Sequence, residues 1–320
     1  KLKITYKFHQ TETKLLRKLF NVHGLTEVQG ENNLLWTGVH MKLDIVRNLA
    51  PYQRVNHFPR SYEMTRKDRL YKNIERMQHL RMKHFDIVPQ TFVLPIESRD
   101  LVVAHNKHRG PWIVKPAASS RGRGIFIVNS PDQIPQDEQA VVSKYIVDPL
   151  CIDGHKCDLR VYVLVTSFDP LIIYLYEEGI VRLATVKYDR HALWNPCMHL
   201  CNYSINKYHS DYIRSSDGHK WTLSALLRHL KLQSCDTRQL MLNIEDLIIK
   251  AVLACAQSII SACRNCFELY GFDILIDNAL KPWLLEINLS PSMGVDSPLD
   301  TKVKSCLMAD LLTCVGIPAY

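Results

Sequence analysis

The 320-residue chain has no apolar run long enough to cross a membrane. Its longest apolar stretch, 247–263, is interrupted by Lys250 and Gln257, whereas a spanning helix needs about 20 consecutive apolar residues. We therefore expect a packed helix there and no membrane partner. The segment Lys1-Leu2-Lys3 leads into a mixed polar run, so we also expect no secretory signal.

Two common nucleotide-binding motifs are also missing. The chain has no G-x-x-x-x-G-K-[ST] loop and no G-x-G-x-x-G after a predicted strand. It has ten cysteines, which we expect to stay reduced because no secretory signal is recognised. The pair Cys263-x-x-Cys266 lacks the second cysteine pair of a structural zinc site, so we predict no zinc.

Acidic residues are fewer than basic ones. The 32 Asp and Glu against 40 Lys and Arg give a formal net charge of +8, which favours an acidic partner. Nucleic acid is one candidate, but no known nucleic-acid-binding motif is present, so we expect none to bind. The hydrophobic content of 47% is typical of a globular chain with a substantial core.

Two apolar segments, 272–277 and 283–288, carry oxygen ligands and are separated by a predicted turn. In such a hairpin Glu286 and Asn288 lie on one face, and Asp273 can approach them from the paired strand. Two carboxylates and one amide suit a hard divalent cation. The segment therefore predicts a magnesium site, with an ordinary solvated hairpin as the alternative.

A second segment favours phosphate binding. The predicted strand Trp112–Pro116 contains Lys115 and is followed by a loop, 117–125, with two serines, two glycines and two arginines. Exposed main-chain N–H groups and positive charge in such loops can cradle phosphates. A solvated turn is the alternative, but the loop and the predicted cation site together favour nucleotide binding.

These segments and others, in order along nearly the whole chain, resemble the tubulin tyrosine ligase-like enzymes. Residues 60–63 and 119–124 are similar to the branch that adds glutamate. The matching segments are 55–61, 66–70, 112–123, 158–163, 174–179, 198–207 and 271–292.

The resemblance implies an α/β (α+β) fold of the ATP-grasp type in three lobes, 1–64, 65–150 and 151–320, with ATP between the last two. Hydrophobic patterns predict helices at 11–20, 68–82, 221–230, 244–261 and 302–312. They predict strands at 91–94, 112–114, 125–128, 140–142, 159–165, 171–176 and 181–186.

The resemblance also implies roles for individual residues. Arg160, Arg182 and Glu286 would be catalytic, and Asp273, Glu286 and Asn288 would bind Mg²⁺. The predicted ATP contacts are Lys115, Arg121, Gly122, Ser143, Lys144, Tyr145, Ile146, Lys156, Cys157, Asp158, Cys201 and Asn202. The predicted glutamate contacts are Arg182, Tyr203, Ser204 and Lys220.

Three of these roles have specific alternatives. Cys157 replaces an aromatic residue of the family, so we expect its main chain to make the contact. Cys201 replaces threonine and is a weaker hydrogen-bond donor. Structural ion pairs are the alternative for the two arginines, and a surface position is the alternative for Lys220.

The implied function is ATP-dependent addition of free L-glutamate to glutamate side chains in tubulin tails, starting branches on α-tubulin. We expect a monomer in the cytoplasm and cytoskeleton, including centrosome or cilium basal body. The basic segment 66–83 is a candidate surface for the acidic tails. A glycine or tyrosine ligase, or an inactive microtubule-binding module, is the alternative.

Overall fold

Three β-sheets organise the part of the chain that the structure, a computed structural model, describes: residues 3–11, 14–117, 122–135, 137, 139–210, 219–259 and 263–317. The predicted α/β class is confirmed. The predicted ATP contact Arg121 lies outside the described residues. No helix within these ranges is long and apolar enough to cross a membrane.

The first sheet is parallel, in the order β2-β1-β3-β4. Helix Lys14–Val22 buries Leu16 and Phe20, and Phe20 packs edge-on against Tyr6. A short helix, Leu43–Arg47, precedes the last strand. The strands are β1 (Thr5–His9), β2 (Thr26–Glu27), β3 (Leu34–Thr37) and β4 (Arg54–Val55).

The second sheet is antiparallel, in the order β5-β8-β6-β7, around the buried Trp112. Its strands are β5 (Thr91–Val93), β6 (Trp112–Pro116), β7 (Phe126–Val128) and β8 (Ala140–Lys144). The accompanying helices are Tyr62–Thr65, Lys67–Arg81 and Ser98–Lys107, with 3-10 turns at Met82–Phe85 and Pro131–Gln133.

The third sheet has the order β12-β11-β10-β13-β14, with β9 paired to β10. Its strands are β9 (Cys151–Ile152), β10 (His155–Phe168), β11 (Leu171–Leu183), β12 (Lys220–Thr222), β13 (Glu268–Ile276) and β14 (Pro282–Asn288). The helices of this region are Pro196–His199, Tyr203–Asn206, Leu223–Leu232, Thr237–Ala256 and Pro298–Cys314.

Alternating side chains of β10 separate two hydrophobic cores. Val161 and Val163 face a core shared with helix Thr237–Ala256. Tyr162 and Leu164 face a core shared with helix Pro298–Cys314 and the first sheet. The first sheet and helix Pro298–Cys314 thus share one core. The predicted boundaries of the three lobes stay a prediction.

Some element bounds differ from the sequence predictions. The two predicted strands 171–176 and 181–186 form one strand, β11, that continues through Gly179. A Cβ at Gly179 would lie 2.9 Å from the main-chain oxygen of Arg160, so glycine permits close pairing there. A register shift between Val161 and Val163 accompanies it, as expected of a β-bulge.

Helix ends differ because capping residues decide them. Thr222 caps the helix that begins at Leu223, since residues 220–222 pair with β11. Asp236 caps helix Thr237–Ala256, which starts one to two turns before the predicted position. Ser297 caps helix Pro298–Cys314 in the same way.

The expectation that all cysteines stay reduced is wrong for one pair. Cys263 and Cys266 form a disulfide with Cα atoms 5.6 Å apart, a separation that suits disulfide geometry. The other eight cysteines are free thiols within the described ranges.

Candidate active site

Charged side chains form a row across the third sheet. Strand pairing places Lys220 opposite Arg182, Arg182 opposite Asp158, Arg160 opposite Asp273, and Asp273 opposite Glu286. Side chains that oppose one another across paired strands lie on the same face. The register of five strands therefore collects six ionisable groups on one side of the sheet.

Two arginines hold two buried carboxylates at the centre of this row. Arg160 forms a bidentate contact with Asp273, at 2.5 Å from Nε to Oδ1 and 3.0 Å from Nη2 to Oδ2. Arg182 Nε lies 2.6 Å from Asp158 Oδ1, and its Nη2 lies 2.9 Å from Asp273 Oδ2. Asp273 therefore accepts from both guanidinium groups, which fixes the arginine orientations.

Burial and charge act against each other at these carboxylates. Burial raises the pKa of Asp273, but Arg160 and Arg182 outweigh it and hold the pKa below its ordinary value. Burial raises the pKa of Asp158, and Arg182 offsets only part of that rise. Burial lowers the pKa of Arg182, yet the two carboxylates raise it well above its ordinary value.

Gly271 provides space for the Arg160 side chain. A Cβ at Gly271 would lie 3.1 Å from Cδ of Arg160 and 3.0 Å from Cβ of Pro291. A side chain at this position of β13 would therefore push the Arg160 side chain out of place. Glycine therefore belongs to the supporting structure of the arginine pair.

A first cavity, with about 860 Å³ of empty space partly open to solvent, lies between the second and third sheets. Lys115 and Gly122 line one side, and Lys156 and Asp158 line the other. The predicted ATP contacts that line it are Lys115, Gly122, Ser143, Lys144, Tyr145, Ile146, Lys156, Asp158, Cys201 and Asn202. The structure thus brings together residues that are far apart in sequence.

Cys157 is placed differently from the other predicted ATP contacts. Its side chain is buried in the core beside Leu159 rather than lining the cavity, because successive residues of β10 face opposite sides of the sheet. The neighbouring Lys156 and Asp158 side chains take the opposite face. Any contact of Cys157 with a ligand is therefore limited to its main chain.

Lys144 and Tyr145 already use several polar groups within the protein. Lys144 Nζ donates to the main-chain oxygen of His108 at 2.6 Å. The main-chain N–H groups of Lys144 and Tyr145 donate to the carbonyls of Gln90 and Pro111. These three donors therefore already have partners within the protein.

A hydrogen-bonded chain that sequence reasoning missed closes one wall of the cavity. Lys156 Nζ donates to the Tyr145 hydroxyl at 3.1 Å, and this hydroxyl lies 2.7 Å from His199 Nδ1. His199 Nε2 lies 3.0 Å from the carbonyl of Ala192, and burial lowers the pKa of His199. Nε2 faces a carbonyl and therefore donates, and the lowered pKa favours the neutral ring, whose Nδ1 accepts from the Tyr145 hydroxyl.

Lys67 also lines the first cavity. The sequence had placed it in the basic segment 66–83, the candidate surface for acidic tails. Its Nζ lies 3.3 Å from Glu286 Oε2 inside the first cavity. Arg66 is paired with Asp68, and Lys72 with Glu75 and Glu97. Arg66, Lys67 and Lys72, three cations of the basic segment 66–83, thus each have an acidic neighbour.

A second, larger cavity lies next to the first sheet and the end of β14. It is lined by Arg160, Tyr203, Ser204, Lys220 and Asn288. Three of these residues, Tyr203, Ser204 and Lys220, are predicted glutamate contacts. Arg182, Asn202 and Glu286 line this cavity as well as the first one. The two cavities therefore meet at three side chains.

The predicted metal ligands offer oxygen atoms at this junction. Asn288 Nδ2 donates to the carbonyl of Gly271 at 3.2 Å, which leaves Oδ1 for a cation, and the Glu286 side chain is 24% exposed. Asp273 already accepts from two arginines but retains lone pairs. The donor set fits Mg²⁺. The set combines two carboxylates with one amide. Over the described ranges, no group of three or more His, Cys, Asp or Glu side chains forms a further candidate metal site.

Comparison with known proteins adds independent information. The profile of the tubulin-tyrosine ligase family matches residues 46–319. Tubulin polyglutamylase TTLL5 of Mus musculus is 52% identical over 98% of this chain and 25% of the relative. The Homo sapiens protein of that name is 52% identical over 98% of this chain and 26% of the relative. Tubulin polyglutamylase ttll-5 of Caenorhabditis elegans is 43% identical over 99% of this chain and 48% of the relative.

The chain spans about a quarter of the mammalian relatives and about half of the nematode one. Residues 60–63 and 119–124 had suggested the branch of the family that adds glutamate. The names of these relatives confirm that resemblance.

Proposed function

Because the chain belongs to the tubulin-tyrosine ligase family and has its ATP-grasp-like α/β fold, we propose that it is an ATP-dependent tubulin glutamylase. It joins the amino group of free L-glutamate to the side-chain carboxylate of a glutamate in a tubulin tail. The product is an isopeptide bond.

One observation carries this proposal: Arg182, Asn202 and Glu286 line both cavities. A ligase of this kind must bring a nucleotide phosphate and two amino-acid substrates to one point. The first cavity suits the nucleotide, and the second, with Arg160 and Lys220, suits carboxylates. Their meeting point is where phosphoryl transfer and amide formation would take place.

The reaction proceeds in two displacements. A carboxylate oxygen of the tail attacks the γ-phosphorus of ATP, the bond to ADP breaks, and an acyl phosphate forms. The amino group of glutamate then attacks the acyl carbon, loses a proton, and releases inorganic phosphate. Activation is needed because a free carboxylate has oxide as its leaving group.

The residues of this chain position the reactants and balance charge. Lys115 and Lys67 line the first cavity, where they would neutralise the phosphates, and Arg160 and Arg182 would stabilise negative charge that develops at the acyl phosphate. Their guanidinium groups are already fixed by Asp158 and Asp273, so little reorganisation is required. Glu286, Asn288 and Asp273 would hold Mg²⁺, which neutralises charge on the β- and γ-phosphates.

Charge supports glutamate as the proposed donor. Tyr203, Ser204 and Lys220 lie around the second cavity, and the ammonium group of Lys220 favours an acidic amino acid over glycine or tyrosine. An inactive microtubule-binding module has no need for carboxylates facing the first cavity, so Asp273 and Glu286 argue against that alternative.

We assign the enzyme to the cytoplasm and cytoskeleton, including centrosome or basal body, acting as a monomer on microtubules. The acceptor is an α-tubulin tail, on which the enzyme adds the first branching glutamate. The formal charge of +8 supports an acidic acceptor.

Mass spectrometry of tubulin tests the proposal. Tubulin and unmodified α and β tail peptides are incubated with the chain, ATP, magnesium and one candidate amino acid at a time. We expect ATP-dependent addition of glutamate to α tails. Addition of glycine or tyrosine instead, or no addition at all, would refute the donor or the activity. Reaction of pre-glutamylated peptides alone would refute initiation, and faster reaction of β tails would refute the α preference.

A further inference from the structure

A second lysine, Lys304, lies beside Lys220 in the second cavity. It belongs to helix Pro298–Cys314, whereas Lys220 begins β12. One carboxylate joins them, since Asp300 Oδ2 lies 2.6 Å from Lys220 Nζ and Asp300 Oδ1 lies 3.2 Å from Lys304 Nζ. We call these three residues the lysine cluster.

Asp300 and Lys304 are buried and Lys220 is partly buried, and the cluster carries more positive than negative charge. The exposed fractions of the Lys220, Asp300 and Lys304 side chains are 15%, 2% and 7%. Among the described residues, Asp300 is the one carboxylate within ion-pair distance of either lysine. One buried and one partly buried cation therefore share one anion, and the surplus charge favours binding of a further anion from the cavity.

Burial lowers the pKa of Lys304, but its other contacts do not remove this surplus. Its Nζ also donates to the main-chain oxygen of Gly294, which carries no net charge. Asp296 lines the same cavity and acts on Lys304 at longer range, but Asp296 is exposed, so solvent screens its attraction.

Asp300 is held in a fixed position. The Ser297 hydroxyl donates to Asp300 Oδ2 at 3.0 Å and accepts from the Asp300 main-chain N–H at 3.1 Å, as the cap of the helix. Burial raises the pKa of Asp300, but the two lysines and Ser297 bring it below its ordinary value. An ionised and immobile carboxylate thus sets the positions of both ammonium groups.

The lysine cluster lies next to the junction of the two cavities. Lys220 pairs directly with Arg182 across β11 and β12, and Lys220 Nζ lies 5.3 Å from the ring centre of Tyr203. An amino acid whose reacting end lies near Arg182 can therefore extend its side chain toward the two lysines.

We propose that Lys304, together with Lys220, binds the side-chain carboxylate of the incoming amino acid, and that Asp300 positions the two lysines. The inference rests on the proposed function, because it requires an amino-acid donor in the second cavity. A donor with a carboxylate balances the surplus charge of the cluster, whereas a donor with an amide or no side chain leaves that charge unmatched. The cluster thereby selects an acidic donor.

Steady-state kinetics of the full chain with a tubulin tail peptide test this assignment. Lys304→Met should raise the half-saturating glutamate concentration about tenfold or more, since a charge-assisted contact is lost. The half-saturating ATP concentration and the rate with glutamine should stay unchanged, so the preference for glutamate over glutamine falls. Lys304→Arg keeps the cation and should retain the preference. Lys302→Met, at an exposed position of the same helix, is the matched control.

The assignment is overturned if Lys304→Met keeps the glutamate preference, or if it raises the ATP and glutamate requirements equally. Thermal unfolding shows whether the variant folds. If Lys304→Met does not fold, the same kinetics are measured with Asp300→Asn. An unchanged half-saturating glutamate concentration in Asp300→Asn overturns the assignment. Absence of any glutamate addition by the wild-type chain would instead refute the proposed function itself.

Discussion

Arg182 and Asp273 are joined at 2.9 Å across an intervening strand. Arg182 is on β11 and Asp273 is on β13, with β10 between them. The same guanidinium group also contacts Asp158 on β10. Because Arg182 lines both cavities, this ion-pair network fixes a cation at the point where the two substrate classes would meet.

The pH dependence of stability should report on Asp273. Burial raises its pKa, but Arg160 and Arg182 lower it below the ordinary value of 3.8. A carboxyl whose pKa is lowered on folding contributes stability above its unfolded pKa and loses that contribution as the pH falls through its folded pKa. Asp273→Asn should therefore lower the free energy of unfolding by about 3–5 kcal/mol at neutral pH, and this deficit should shrink below pH about 4.

Urea unfolding of the wild type and of Asp273→Asn across this pH range measures the deficit. Asp310→Asn, at an exposed helix position, serves as the control. A deficit that stays constant into acid would contradict the assigned ionisation of Asp273.

Gly271→Ala should reduce turnover more than stability. The new Cβ would lie 3.1 Å from Cδ of Arg160, so the arginine must shift, and small misplacements of a catalytic group cost up to about a hundredfold in rate. We expect a fall in kcat of about tenfold or more with the unfolding temperature little changed. Gly30→Ala has no neighbouring atom within 4 Å of the added carbon and should behave as the wild type. Equal turnover in both variants would argue against the role of Gly271.

Lys115→Met should weaken ATP use selectively. Lys115 is buried, and its Nζ lies 3.3 Å from the main-chain oxygen of Leu285 in the first cavity. Loss of one charge-assisted contact to phosphate corresponds to about 1.5–3 kcal/mol, so the half-saturating ATP concentration should rise by about tenfold to a hundredfold. The half-saturating glutamate concentration should not change. Titration of each substrate separately distinguishes these effects, and an equal rise for both would reject the assignment.

Glu286→Gln should remove activity while preserving the fold. The side chain is 24% exposed and its ion pair with Lys67 spans 3.3 Å, so its contribution to stability is small. As a proposed metal ligand it should be needed for turnover, and we expect a loss of about a hundredfold or more. Thermal unfolding and ligase assays over a range of magnesium concentrations measure both properties. Full activity, or failure to fold, would count against the metal-site assignment.

The alternation of side chains along the sequence was sufficient to predict the hairpin of β13 and β14. Alternation along two strands predicted that Glu286 and Asn288 share a face that Asp273 can approach from the paired strand, and the register pairs Asp273 with Glu286. Strand alternation also explains why Lys156 and Asp158 face the cavity whereas Cys157 faces the core. These relationships follow from the two-residue period of a strand, which a sequence displays directly.

Contacts between elements that are far apart in the sequence could not be predicted from this alternation. Lys67 and Lys304 were not assigned to the site, because their positions depend on how two helices pack against the third sheet. His199 joins Tyr145 only through the folding of a long connection. Continuation of β11 through Gly179 likewise depends on a bulge in the neighbouring strand.

Isotope transfer tests the central claim that the reaction proceeds through an acyl phosphate of the acceptor carboxylate. A tail peptide is prepared with oxygen-18 in the side-chain carboxylate of the acceptor glutamate and incubated with the chain, ATP, magnesium and glutamate. We predict that each glutamylated product is accompanied by one inorganic phosphate that carries one oxygen-18 atom, because the carboxylate oxygen leaves with the phosphate. Glutamylated peptide accompanied by unlabelled phosphate, or by label in AMP, would contradict the proposed mechanism.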